Sequence, residues 1–374
     1  MNARSVHTDA ELDRYLALMV SAEASDLLLS AGSPAAIKVQ GEVSRLPEPP
    51  LTATQTRSLA YSVMTQAQVH EFESTLECDL AVAVAPLGRF RINVYRQRGD
   101  VAMVVRHINP RIPTIESLKL PPVLRELAML ERGLVLVVGA AGSGKSTTLA
   151  AMLDHRNHHA TGHILTVEDP MEFEHSHGRC IVDQREVGLD TMGFDEALRH
   201  AMREAPDVIM IGEIRDRDTM KHALTYAETG HLCLSTLHAN NANQAIQRIL
   251  NFFPETAHQQ VLLDLSLNLK GVVGQRLIRG ARNRLVPAVE VMLHSPYVAD
   301  LILKGQTGGL KDVMARSNEL GMCTFDQSLY DLVLRGELSA EQAIEQADSR
   351  TDLSLRIRLH GGRLPQTGGL RVAG

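Results

Sequence analysis

At 374 residues, 44% of them hydrophobic, the chain has room for about two or three globular domains. A net charge of −6, no Trp, seven Phe and six Tyr weigh against a general nucleic-acid binder. No apolar stretch suits a membrane span or an initial signal peptide, and the four scattered cysteines (Cys78, Cys180, Cys233, Cys323) form no C-x-x-C pair. The expectation is a cytoplasmic protein with reduced thiols and no zinc site.

In chain order, residues 9–20 read as an amphipathic helix with Leu12, Tyr15, Leu16, Met19 and Val20 on one stripe. Residues 26–30 and 35–40 read as short strands around the Gly32-Ser33-Pro34 turn, and the three prolines of 46–50 as a loop. Helical segments at 53–64 and 66–73 lead into three strands at 78–85, 89–97 and 101–107. Consecutive strands with short turns predict an antiparallel sheet, hence a small α+β domain over 1–108. Alternation in the middle strand puts Phe90, Ile92 and Val94 on a core face and Arg89, Arg91, Asn93 and Tyr95 on the other. That second face is either solvated or presents cations to phosphates.

Two prolines in 109–113 mark a linker, extending to 120. Beyond it, over 121–358, apolar runs at 134–138, 163–167, 180–182, 208–212 and 232–235 alternate with helical patterns, as in a mostly parallel sheet covered on both faces. From Pro296 the chain turns helical, clearest at 325–334 and 340–347. The glycine-rich end, 359–374, has no period and reads as a tail without fixed structure.

The most informative segment is 139–146, Gly-Ala-Ala-Gly-Ser-Gly-Lys-Ser, between an apolar strand and a helix with Leu149, Met152 and Leu153 on one face. Glycines at 139, 142 and 144 permit a tight turn whose N–H groups cradle phosphate oxygens, with Ser143 and Thr147 inside the same cradle. Lys145 suits the β- and γ-phosphates, Ser146 suits Mg²⁺, and the helix N-terminus adds partial positive charge. The chain is therefore expected to bind a nucleoside triphosphate, with ATP and Mg²⁺ as the expected cofactors.

Ligands in open α/β sheets bind beyond the carboxyl ends of the strands. Glu168 and Asp169 follow one run, Glu213 another, and Thr236 and His238 a third. Glu213 suits Mg²⁺, together with Ser146. Glu168 suits the group that orients or deprotonates the attacking water. His231 and His238 are both placed near the γ-phosphate. Asp207 precedes its strand and is set aside. His155, His158, His159, His175 and His177 lack a plausible ligand set and read as solvated.

These motifs carry a resemblance. Thr166-Val167-Glu168-Asp169-Pro170-Met171-Glu172-Phe173 resembles the "Asp box" of the secretion/type IV pilus ATPase family. Gly212-Glu213-Ile214-Arg215-Asp216 is similar to its Glu-bearing Walker B motif. Thr229-Gly230-His231 through Leu237-His238-Ala239-Asn240 resembles its "His box", and Gly88-Arg89-Phe90-Arg91-Ile92-Asn93 its arginine-bearing strand. The resemblance spans about residues 5–350, with the four motifs in family order. The retraction branch, the PilT/PilU proteins, matches best, because assembly ATPases add a large N-terminal domain and a tetracysteine zinc loop. Residues 297–306 lack the two arginines of the PilT-like Ala-Ile-Arg-Asn-Leu-Ile-Arg-Glu segment, which points to the PilU-type accessory motors.

The resemblance implies a PAS-like N-terminal domain, a RecA-like ATPase domain and a hexameric ring at the inner-membrane pilus base. Its implied partners are the inner-membrane platform protein and PilT. Each site would join one subunit's phosphate loop to the next subunit's Arg89, Arg91 and Arg106, with Arg96 behind. The open alternatives are a poorly hydrolysing regulatory or scaffold subunit and an assembly or secretion ATPase. A nucleic-acid motor has less support.

Overall fold

The computed structural model describes residues 9–39, 41–108, 111–281 and 284–360. The expected linker lies partly outside these residues, at Asn109 and Pro110, and the expected tail almost entirely so. Two compact units are present. One comprises the chain through Ile112 with Asp169–His175 and Arg185–Gly193; the other comprises Pro113–Glu168, Ser176–Gln184 and the chain from Phe194.

In the first unit the elements are α1 (Ala10–Ser21), β1 (Asp26–Leu29), β2 (Ala36–Val39), β3 (Glu42–Arg45), α2 (Ala53–Ser62), α3 (Gln66–Thr75), β4 (Glu77–Val84), β5 (Gly88–Gln97) and β6 (Asp100–Ile108). Both α2 and α3 begin with a capping box, Thr52 with Gln55 and Thr65 with Gln68, which satisfies N–H groups that a helix start leaves unpaired. The sheet runs β3-β2-β1-β6-β5-β4 with antiparallel pairing throughout. Its edge strand β3 is exposed along its whole length and escapes detection because Glu-Val-Ser-Arg shows no buried alternation. Phe90, Ile92 and Val94 are fully buried with Leu12, Leu16 and Phe72 in one core, so the core face of β5 is as its alternation predicts.

The second unit holds α4 (Val123–Ala128), β7 (Gly133–Val138), α5 (Lys145–His159), β8 (Gly162–Glu168), β9 (Cys180–Glu186, whose last two residues group with the first unit), α6 (Phe194–Ala201), β10 (Val208–Ile211), α7 (Arg217–Glu228), β11 (Leu232–Leu237) and α8 (Ala242–Asn251). Then come α9 (His258–Asn268), β12 (Leu269–Arg279), β13 (Leu285–Leu293), α10 (Pro296–Leu303), α11 (Leu310–Arg316), α12 (Phe325–Leu334), α13 (Ala340–Gln346) and α14 (Arg350–His360). The sheet order is β13-β12-β7-β11-β10-β8-β9. Parallel pairing links β12, β7, β11, β10 and β8, and β13 returns antiparallel to β12. The β12–β13 hairpin widens the sheet beyond the sequence expectation. Strands β7, β10 and β11 are buried at every residue, which is why they read as continuous apolar runs.

The hairpin brings in a buried acid. Glu290 on β13 is 1% exposed and its Oε1 accepts from the Ala242 N–H, 2.8 Å away, at the start of α8. Burial is the largest influence and pushes its carboxyl up to about 7; Asp348 adds to this, and Arg276 and Lys311 oppose it. A folded-state value above the unfolded one means the native state holds the extra proton, so this group's stabilising contribution is lost as pH rises from about 4.5 to about 7. Glu290→Gln keeps the bond from Ala242 and removes the charge. In denaturant titrations the variant should gain on the wild type between pH 5 and pH 8, by on the order of 1–3 kcal/mol. A stability gap that is the same at both pH values would contradict this.

Candidate nucleotide site

The phosphate loop joins β7 to α5. Gly142 and Gly144 have φ of +74° and +86°, which L side chains rarely adopt. A Cβ on Gly139 would overlap Ser143 Oγ and stand 2.5 Å from the Gln275 carbonyl oxygen, so the cradle has no room for a side chain there. Lys145 is buried and curls back across the loop, its Nζ donating to the carbonyls of Gly139 (3.1 Å) and Ala140 (2.9 Å). Ser143 Oγ is buried without a hydrogen-bond partner. A buried polar atom left unpaired beside a ring of backbone turns fits a bound oxyanion.

Parallel register sets the rest of the edge. Val138 pairs with Leu237, and Ile211 pairs with both Ser235 and Val167. Gly139, His238, Glu213 and Glu168 therefore all leave the sheet at the same side. Bonds from Thr236 Oγ1 to the Gly212 carbonyl (2.7 Å) and from the Ile214 N–H to the Thr236 carbonyl (2.9 Å) tie two of these strand ends together. Glu213 is gripped from both sides, with Oε1 2.7 Å from His238 Nε2 and Oε2 2.6 Å from Arg215 Nε. Glu168 is buried, and its Oε1 accepts from Thr166 Oγ1 (2.7 Å) and Gln184 Nε2 (3.1 Å). Two donors on one oxygen fix the plane of the carboxylate, as a water-orienting group requires.

Beside the loop, a cavity of about 530 Å³ is lined by Leu118, Gly144, Thr147, Gln275, Leu277 and Val286, among others, a size and mixed character that suit a nucleoside. Gln275 on β12 is a candidate site residue that the sequence does not reveal. Its Oε1 accepts from Thr148 Oγ1 at 2.6 Å, and its amide nitrogen lies against Gly144. No local pattern marks it, because β12 reaches the loop only through its pairing with β7. Arg215, within the Gly212–Asp216 motif, reaches the site through its ion pair with Glu213.

A family model described as "Type II/IV secretion system protein" matches residues 89–312. The chain belongs to that family. It is 52% identical to the type IV pilus ATPase PilU of Pseudomonas aeruginosa, over 93% of this chain and 92% of that protein. To the retraction ATPase PilT of the same organism it is 43% identical, over 90% of this chain and 98% of the relative. A crystal structure of the pilus retraction motor PilT with bound ADP matches with a TM-score of 0.84 at 40% identity, covering 91% of this chain and 98% of that one. This secretion-family ATPase thus has an N-terminal domain followed by a RecA-like ATPase domain.

Placement corrects some expectations for it. His231 precedes β11, and its carbonyl accepts from the N–H of Gly133, the first residue of β7. It stands at the opposite edge from the phosphate loop, about a strand length or 17–20 Å away, so within one chain only His238 is brought to that loop. The rule that removes Asp207, whose carboxylate accepts from the His163 N–H at the same far edge, applies equally to His231. His175 is buried, not solvated, and burial pushes its imidazole down to about 4.

The arginines of the first unit separate by environment. Arg91 and Arg106 face each other across β5 and β6, with Arg89 two residues along. Arg106 Nε donates to the buried Asp26 at 2.9 Å, which anchors it within its own sheet. Arg96 lies on the core side, paired with Glu73 at 2.5 Å and over the Phe72 ring. Arg89 and Arg91 remain the stronger phosphate candidates.

The two acids are separable by experiment. Glu168→Gln should bind nucleotide normally yet turn over about 10²-fold more slowly or worse. Glu213→Gln should raise the Mg²⁺ concentration needed for half-maximal activity. Normal hydrolysis by Glu168→Gln would sink the assignment.

Proposed function

We propose that this ATPase works as a cytoplasmic hexameric ring that couples ATP hydrolysis to type IV pilus retraction, in the accessory role of PilU-type motors. The observation that carries the reading is the meeting of the 139–146 loop, Glu168, Glu213 and His238 at one sheet edge, in a chain 52% identical to PilU over 93% of its length. A second supports the accessory role. On α10, Ala299 and Leu303 stand where the PilT-like segment is expected to carry its two arginines.

On binding ATP, Lys145 exchanges the carbonyls of Gly139 and Ala140 for the β- and γ-phosphates. Ser146 and Glu213 offer the hard oxygen donors that would hold Mg²⁺, which there supplies charge neutralisation to the phosphate oxygens. Glu168, held by Thr166 and Gln184, orients the attacking water and accepts its proton. His238 couples the state of Glu213 to the strand end it follows. Arg89 and Arg91 of a neighbouring copy stabilise charge on the transferring phosphoryl group. Such a head-to-tail contact closes into a ring.

The purified protein should hydrolyse ATP at a rate that single-stranded DNA leaves unchanged, and Lys145→Ala should reduce that rate to background. In cells, this ATPase should support retraction together with a PilT-type motor and not by itself. Retraction in cells carrying only this ATPase would overturn the accessory assignment. Near-normal turnover by Lys145→Ala would overturn the whole reading.

A further inference from the structure

Glu186 closes β9 and belongs with the first unit. It is fully buried, and neither of its carboxylate oxygens has a hydrogen-bond partner. The nearby Met171 N–H favours the charged form of the carboxylate. Its counter-charge is Arg91, whose Nη1 stands 3.5 Å from Oε1. That is an ion pair at the outer limit of a hydrogen bond. Arg89 adds a weaker attraction, and its own Nε is buried without an acceptor. On the other side of Arg91, Asp79 Oδ2 is 3.7 Å from Nη2, and its side chain is half exposed.

The carboxylate is not what shapes its own turn. The N–H groups of Leu189, Asp190 and Thr191 bond to the Glu186 carbonyl, and the Glu186 N–H donates to Asp190 Oδ2 at 2.9 Å. Those contacts would survive replacement of the side chain. Burying an ionised carboxylate with no hydrogen bond is costly, and burial pushes its carboxyl up despite the arginines. A cost of that kind, kept where the hydrogen bonds of the turn do not need it, calls for a functional reason. Arg91 meanwhile is bracketed by two acids and bonded closely to neither.

We propose that Glu186 is a built-in substitute for phosphate, holding Arg91 loosely within its own chain until the nucleotide of a neighbouring copy takes the guanidinium away. The inference rests on the reading of Arg91 as a phosphate-binding cation. A guanidinium gains on leaving, because phosphate offers close bidentate hydrogen bonds that Glu186 does not make here. Departure leaves the buried carboxylate with Arg89 alone. Its uncompensated charge then draws Arg91 back once phosphate is gone. Glu186 thus competes with nucleotide and raises the ATP concentration at which the shared site fills.

Steady-state ATPase of the full chain, measured against ATP concentration, tests this. Glu186→Gln should lower KM for ATP by about threefold or more without lowering kcat. Glu186→Asp, which keeps the charge, should stay within about twofold of wild type. The effect of Glu186→Gln should vanish in an Arg91→Ala background. An unchanged KM, an equal shift with Arg91 absent, or identical behaviour of the Gln and Asp variants would overturn the proposal. So would a Glu186→Gln protein that melts well below wild type, since the carboxylate would then serve the fold. Failure of the underlying reading looks different: Arg91→Ala alone would keep wild-type activity.

Discussion

Parallel pairing of β7, β11, β10 and β8 is the constraint on which the site depends. Each strand carries its chemistry on the residue that follows it, so function requires the strand ends to be level. The register delivers this, with Val138 opposite Leu237 and Ile211 opposite both Ser235 and Val167. A slip by one residue in any strand would also turn its buried side chains toward the wrong layer. Packing therefore protects the alignment of the catalytic groups at no separate cost. The bonds from Thr236 and Ile214 extend the same alignment past the last paired residues.

Charge is handled differently in the two units. Around the phosphate loop, acids and bases are held in short, directional contacts: Glu213 by His238 and Arg215, Glu168 by Thr166 and Gln184. On β5 the contacts are long, with Arg91 3.5 Å and 3.7 Å from its two acids. The first arrangement suits groups that must be in place before ATP arrives. The second suits a cation that has to move to it. Arg106 and Arg96, each tightly paired in the same unit, show that this fold also builds firm ion pairs where it needs them.

Much of this was legible in the sequence, for identifiable reasons. The phosphate loop is local, so its glycines and lysine stand side by side, and buried parallel strands announce themselves as apolar runs. Residues that follow such runs fall at the active edge, which located Glu168, Glu213 and His238. His231 and His238 lie close in sequence, but the strand β11 between them carries them to opposite edges of the sheet. Gln275 and Glu186 were invisible because the residues they touch, Thr148 and Arg91, lie far away in sequence, and the β12–β13 hairpin lacked the helix-strand alternation that exposed the other strands. His175 looked polar and therefore solvated; only packing shows it buried.

The shared site is the central claim, and mixing two inactive variants tests it most directly. Arg91→Ala subunits keep a sound phosphate loop, and Lys145→Ala subunits keep a sound arginine donor. Each alone should hydrolyse ATP poorly. Mixed rings should recover part of the wild-type rate, because some interfaces then join the intact loop of one copy to the intact Arg91 of the next. Loss of activity in both variants with no recovery on mixing, although mixed rings form, would contradict the account and place Arg91 in service of its own subunit.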